Sequence, residues 1–152
     1  MALSHGRLLY FAVGFPATPT TAVNLSTYTK EVNGLPGEQD LGDVTVAGNV
    51  GHTSYPGLQK TSFSSVHVFD DGTSASWTTL KGFQSLQQTS PSTGWGIWFG
   101  PRGNTTGSPA VLCNAFIKSI SMPVRVTDPN TFTVNWEMSA GTVGITTSTT
   151  FA

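Results

Sequence analysis

The sequence predicts a mainly β fold, with strands at the spacing of a sandwich or barrel and one helix. Three observations carry this. Apolar residues recur with period 2 in several short runs, as half-buried strands require. Clusters of Gly, Pro, Asn and Asp separate those runs and supply turn chemistry. The composition is that of neither a helical bundle nor a disordered chain: of 152 residues, 38% are hydrophobic and only 10% charged, against roughly 25% charged in an average globular domain. Serine and threonine number 39, with 17 glycines and 9 prolines. Solubility here rests on hydroxyls and amides, not on ions.

From the N-terminus, the apolar run Leu8 to Val13 ends at Gly14-Phe15-Pro16. It is too short for a membrane helix, which needs about 20 residues, and wrongly flanked for a signal peptide. Residues 15–22, rich in Pro and Thr, are expected to be extended or loop. A short helical turn is expected over Leu25 to Val32, with Asn24 or Ser26 as its cap. Phe63, Ser65, His67 and Phe69 share one face of a strand. Asp71-Gly72 then turns the chain into a helix over Ser74 to Gln88. Its stripe is Trp77, Leu80, Phe83 and Leu86 or Gln87, capped by Asp70, Asp71 or Thr73 and weakened by Gly82. Residues 87–94 read as a surface loop. Trp95, Ile97 and Phe99 form one face of the next strand and Trp98 lies on the other. A turn at Gly100-Pro-Arg-Gly-Asn104 follows. Later, Val124 and Val126 pair on one face, Asp128-Pro-Asn130 turns, and Phe132, Val134 and Trp136 align inward. Ser139-Ala-Gly141 is expected to be a turn, with Val143 and Ile145 on a closing strand.

The search for chemistry finds little. The formal net charge is -1 and no basic stripe exists, which excludes tight non-specific DNA binding. One cysteine, Cys113, excludes an intrachain disulfide and a cysteine-rich zinc site; in its apolar strand it is expected to be buried and inert. His67 reads as a half-buried or surface strand residue, His52 as a loop or strand start, and His5 as part of a terminus. No Gly-x-Ser-x-Gly elbow accompanies them. Asp70-Asp71 lack the ligand series of a calcium loop, and Glu38, Asp40 and Asp43 read as a solvated loop cluster. Gly100 to Gly107 resembles a phosphate loop only superficially, since it has no Gly-Lys-Ser/Thr ending. Asn24 and Asn104 each open a glycosylation triplet, read as chance. Trp95 and Trp98 fall on opposite strand faces and cannot share one stacking platform. The reading assigns no catalytic residue, no cofactor and no metal, and leaves a binding module or a self-assembling structural subunit, the latter favoured by the hydroxyl-rich surface and by strand edges that need cover.

Several segments, in order, resemble the major tail tube proteins of phages with long non-contractile, siphophage-type tails. They are Asn24 to Gly37 (NLSTYTKEVNGLPG), Asp43 to Gly48 (DVTVAG), Gly51 to Leu58 (GHTSYPGL), Phe99 to Pro109 (FGPRGNTTGSP), Val124 to Val134 (VRVTDPNTFTV) and a closing strand from Gly144 to Phe151. The resemblance covers residues 24–151 of a single domain spanning 1–152; residues 1–23 do not align, and Arg7 to Gly14 is either an extra strand or an arm reaching a neighbour. The resemblance implies a two-sheet β-sandwich with one flanking helix, whose sheets join between subunits into a hollow barrel. It implies a non-enzymatic virion protein that forms hexameric rings stacked head to tail, with tape measure and other tail proteins as partners. Genomic DNA would pass through the lumen, unbound, into the host; no membrane is engaged, and the chain would be made in the bacterial cytoplasm. The stretch from Gly34 to Gly57 and the N-terminal arm would join the rings. Competing readings are a tail terminator or distal tail protein that forms a single ring, a carbohydrate-binding sandwich using Trp95 or Trp98, and a hydrolase with His52 or His67 as base.

Overall fold

The computed structural model describes residues 9–14, 22–35, 38–43, 47, 51, 54–60, 62–89, 94–103, 107–123, 126–127 and 130–147. Nine strands and one helix occur among them: β1 (Tyr10–Gly14), β2 (Val23–Asn24), β3 (Thr29–Asn33), β4 (Glu38–Asp43), β5 (Ser54–Lys60), β6 (Ser62–Val68), α1 (Ser76–Thr89), β7 (Trp95–Gly100), β8 (Pro109–Ser121) and β9 (Thr131–Thr147). Seven strands make one antiparallel sheet in the order β2-β1-β7-β8-β9-β6-β3, and β4 pairs with β5 as a separate hairpin.

This sheet is bent back on itself. In a flat sheet β1 and β6 would lie four strand spacings apart, roughly 19 Å. Instead the rings of Phe11 on β1 and His67 on β6 have centroids 5.4 Å apart. The bend runs through the long partners β8 and β9, whose register shifts near Asn114 and near Lys118. Bulges of this kind bend and twist a strand. The two wings, β2-β1-β7-β8 and β8-β9-β6-β3, enclose Phe11, Val13, Leu25, Phe63, Ile97, Phe132, Val134 and Trp136, all buried.

The period-2 expectation holds on β6 and β9, while β7 is buried on both faces. Phe63, Ser65 and His67 are buried on β6, as are Phe132, Val134 and Trp136 on β9. Tyr10–Gly14 is buried at every position and lies between β2 and β7. It is the extra strand and not an arm. Trp98 covers Gly96, where an added Cβ would approach its ring to 2.6 Å.

Several expectations are corrected. Leu25 to Val32 is not one helical turn: a tight turn closes with the Tyr28 and Thr29 amides bonded to Leu25 O, and β3 then begins. Asn24 does act as a local cap, its Oδ1 accepting from the Ser26 amide at 3.0 Å. Ser139-Ala-Gly141 is no turn but lies inside β9, where small residues meet a register shift. Val126 is fully exposed in a bend and not on a strand. Glu38 to Asp43 and Ser54 to Lys60 are strands of a hairpin, not loop. Residues 15–21, 90–93, 124–125, 128–129 and 148–152, and with them the end of the closing strand, lie outside the described residues.

The helix matches its expected stripe, with Leu80 buried and Trp77 and Phe83 packed on the core. Its cap differs. The Trp77 amide donates to the backbone O of Asp70, while the Asp70 carboxylate accepts from the Gly72 amide. The helix also runs through Thr89, past the start of the expected loop, because Gln87 is anchored. Gln87 Nε2 donates to Ile117 O at 3.0 Å, and its Oε1 accepts from the Ile117 amide at 2.9 Å and from Trp95 Nε1 at 3.3 Å. The β7–β8 ladder ends at Trp95 and Ala115. The Gln87 amide therefore stands in for the next strand residue and satisfies both backbone groups of Ile117. Leu86, the alternative stripe residue, is 40% exposed.

Replacing Gln87 by Glu leaves Ile117 O without its donor. We expect a loss of about 1–3 kcal/mol in urea unfolding, whereas Leu86→Ala, at an exposed position, should shift the midpoint far less.

Candidate functional site

The β8-β9-β6-β3 wing carries two distinct faces. Cross-strand rungs alternate between them. Inward rungs are Phe63–Trp136–Ile117 and Val32–Ser65–Val134–Ile120. Outward rungs are Asn33–Ser64–Asn135–Ser119 and Glu31–Val66–Thr133–Ser121. The first outward rung is built entirely of small polar side chains, and Asn135 Nδ2 donates to Ser119 Oγ at 2.9 Å. An open groove of about 430 Å³ crosses this face, lined by Asn33, Ser64, Asn135, Ser119 and Lys118 among others. Lys118 faces Glu137 at 3.7 Å with both side chains more than half exposed; such a pair contributes about 0–1 kcal/mol. The face thus offers hydroxyls and amides to water with its charges nearly balanced.

Beneath it lies His67, the one histidine among the described residues. His67 is fully buried, a correction to the half-buried or surface expectation. Its surroundings fix every proton. Thr29 Oγ1 donates to Leu25 O at 2.8 Å and lies 3.0 Å from His67 Nδ1. The hydroxyl's single proton is thereby used, so Nδ1 must carry the proton of that contact. Nε2 is then an acceptor for Ser65 Oγ at 2.8 Å, and Ser65 Oγ accepts from Trp136 Nε1 at 2.9 Å. Both nitrogens are committed to core hydroxyls and Phe11 and Phe132 flank the ring, so this histidine cannot act as an accessible base. Burial pushes its pKa down to about 4.

The other singled-out residues scatter. Cys113 is buried, and burial raises its thiol pKa to about 12, as an inert core cysteine requires. Trp95 and Trp98 are on opposite faces and 3% and 8% exposed, so neither offers the exposed ring that the carbohydrate reading needs. Arg102 sits on the turn from β7 to β8, closed by the Gly103 amide on Gly100 O. Glu38, Asp40 and Asp43 all lie on β4. Among the described residues no three His, Cys, Asp or Glu gather as a metal site, and no helix is long and apolar enough to cross a membrane. His5, His52 and Asn104 lie outside the described residues. The sequence reading missed Gln87 as a strand stand-in and Thr29 as partner of His67. A lone glutamine on an apolar helix stripe was the available signal for the first.

No family model matches the chain, and no curated sequence is significantly similar. Solved structures are similar in fold. A sheath/tube terminator of the PVC extracellular contractile injection system superposes with a TM-score of 0.71 at 15% identity, over 96% of this chain and 98% of that one. The tail of an empty gene transfer agent particle, refined with C6 symmetry, gives 0.66 at 14% identity, over 95% and 99%. The SPP1 tail tube gives 0.64 at 12% identity, over 99% and 81%. The fold is therefore the tail-tube fold, mainly β with one helix. It is shared by tube and by tube-terminator proteins of phage tails and related injection systems.

The histidine sets a pH dependence. With its folded pKa near 4 against about 6.5 unfolded, stability is fully present above pH 6.5. It falls as pH drops through that window, because the unfolded chain binds the proton first. We expect a loss of about 3 kcal/mol by pH 4, read from urea midpoints at stepped pH. His67→Gln should flatten that slope.

Proposed function

We propose that this chain, as a single domain over 1–152, is the major tube subunit of a phage tail of the long non-contractile type. It assembles as hexameric rings stacked head to tail and is part of the virion, made in the host cytoplasm. It has no enzymatic role and needs no cofactor. The observation that carries the reading is the polar face of the β8-β9-β6-β3 wing. Joined between copies, that face would line a lumen where few cationic groups meet DNA phosphates, so the duplex passes without being held. The other partners are the tape measure and further tail proteins. The alternative is a tube terminator, favoured by the equally good fold likeness to terminators.

The β4–β5 hairpin supports stacking. It is inserted at the turn between β3 and β6, which are antiparallel neighbours. At that turn Gly34 has φ 97°, and an added Cβ would lie 2.8 Å from Ser62 O. An isolated two-stranded hairpin is marginal in water, and Leu41 on it is 68% exposed. In the proposed tube the hairpin gains its cover from the next ring, and head-to-tail contacts of this kind build open filaments. The N-terminal segment does not share this role over Tyr10–Gly14, whose removal would take out the core.

Negative-stain electron microscopy of the purified protein across a concentration series should show hollow tubes with regular axial striation. Single rings at every concentration would move the reading to a terminator, and monomers throughout would overturn it. Deleting residues 36–60, which joins Leu35 to Thr61 across the tight turn, should leave a folded protein by circular dichroism that no longer elongates. Tubes of normal length from this variant would reject the hairpin's role.

A further inference from the structure

The tube reading requires a sheet that continues from copy to copy, and the fold narrows which edges can meet. The inference below rests on that reading. On one side of the polar wing the edge is β3. Lys30, Glu31 and Asn33 are exposed there, and no described strand pairs with its outer side. On the other side the edge is less obvious, since β8 is an interior strand of the sheet. Only its N-terminal half is covered by β7, however, and that ladder ends at Ala115. Gln87 then satisfies Ile117. Beyond it, Lys118 to Ser121 pair with β9 alone among the described strands, and Lys118, Ser119 and Ser121 are exposed. Among the described strands the polar wing therefore has two unpaired edges, β3 and the C-terminal end of β8.

Direction decides whether they fit. Each of the pairs β8–β9, β9–β6 and β6–β3 is antiparallel, so β3 runs opposite to β8. Rotation about a common axis preserves strand direction. The β3 of one copy therefore meets the β8 end of the next as an antiparallel pair, and the alternation continues unbroken around a ring of any number. We propose that Thr29–Asn33 of each copy pairs with Lys118–Ser121 of its neighbour, and that the Gln87 side chain keeps the β8 edge free by ending the internal ladder. The chemistry of the edges agrees. The junction extends the outward rung of Asn33, Ser64, Asn135 and Ser119. In the same register Glu31 faces Ser121 of the neighbour, as it shares a rung with Ser121 across the wing. Lys30 stands in the β3 register shift, without a partner on β6. A bulge and a lysine on an edge oppose indiscriminate pairing. A β3–β3 pairing would instead be isologous and close as a dimer.

The test is disulfide trapping in assembled particles. Four double variants place one cysteine at Glu31 or Asn33 and the other at Ser119 or Ser121, because facing residues of an antiparallel pair lie within disulfide reach. Native Cys113 is buried and stays silent. After oxidation, at least one double variant should run as a ladder of covalent multimers on a non-reducing denaturing gel, while each single variant stays monomeric. Covalent dimers from a single variant at Glu31 or Asn33 would show β3–β3 pairing and overturn the proposal. So would assembled particles, seen by microscopy, in which no double variant cross-links; the tube reading would then stand without these edges. A protein that forms no particles would remove both.

Discussion

The whole molecule depends on one chain of hydrogen bonds through its centre. It runs from the Trp136 indole to Ser65, through His67 to Thr29, and ends on the Leu25 carbonyl. It links β9 and β6 to the turn that follows β2, so it ties one wing of the sheet to the other. Each proton in it has one donor and one acceptor. In a low-dielectric core such a satisfied network is stabilising, and any break leaves a polar group unpaired at a cost of a few kcal/mol. The flanking rings of Phe11 and Phe132 set its spacing. The network acts as a latch: it holds the sheet folded back, and the fold-back gives the β8-β9-β6-β3 wing an inner and an outer face.

Those two faces explain the composition. A strand whose inner residues are Phe, Val, Trp and Ile must offer water something at every second position. In this wing it offers Ser, Thr and Asn, interrupted by Val66, on the interior strands, with charge on β3 and at Lys118 and Glu137. Charged residues would give the same solubility but would set a field across the surface. Hydroxyls give a wet surface that neither attracts nor repels a polyanion strongly. The uncharged rung of Asn33, Ser64, Asn135 and Ser119 is consistent with a lumen.

Much of this was legible in the sequence and some of it could not be. The strands of Phe63 and Phe132 were readable because one face of each is buried and period 2 follows from the pleat, while that of Trp95, buried on both faces, was readable from its aromatic and β-branched residues. The helix was readable from Trp77, Leu80 and Phe83. What failed was punctuation. Ser139-Ala-Gly141 carries turn residues, yet it lies inside β9, and only the pairing with the long strand β8 decides between turn and strand. Leu25 to Val32 showed cap residues at Asn24 and Ser26, but β3 is set by its pairing with β6, far along the chain. The role of Gln87 was hidden for the same reason. A glutamine becomes a strand residue only where a real strand stops short. The polar face needed the register of four strands, which no single run of sequence contains.

A tube subunit and a terminator differ in one physical respect, whether both axial ends of the ring are adhesive. In this chain the two ends of the polar wing are separable. The β4–β5 hairpin leaves at the end where Asn33 meets Ser64. The connection from β8 to β9 lies at the opposite end, beyond the pair Ser121–Thr133. Exposed large apolar residues occur at both: Leu41 on the hairpin, and Met122 and Val126 on the connection. A ring that only ends a tube needs such residues at one end and is better served by polar ones at the other, where an uncovered apolar surface risks unwanted association. A ring inside a tube needs them at both, on unlike surfaces, so that each contact is heterologous and the stack stays open. On the proposed tube reading, Leu41 at one end and Met122 and Val126 at the other would supply these two unlike contacts.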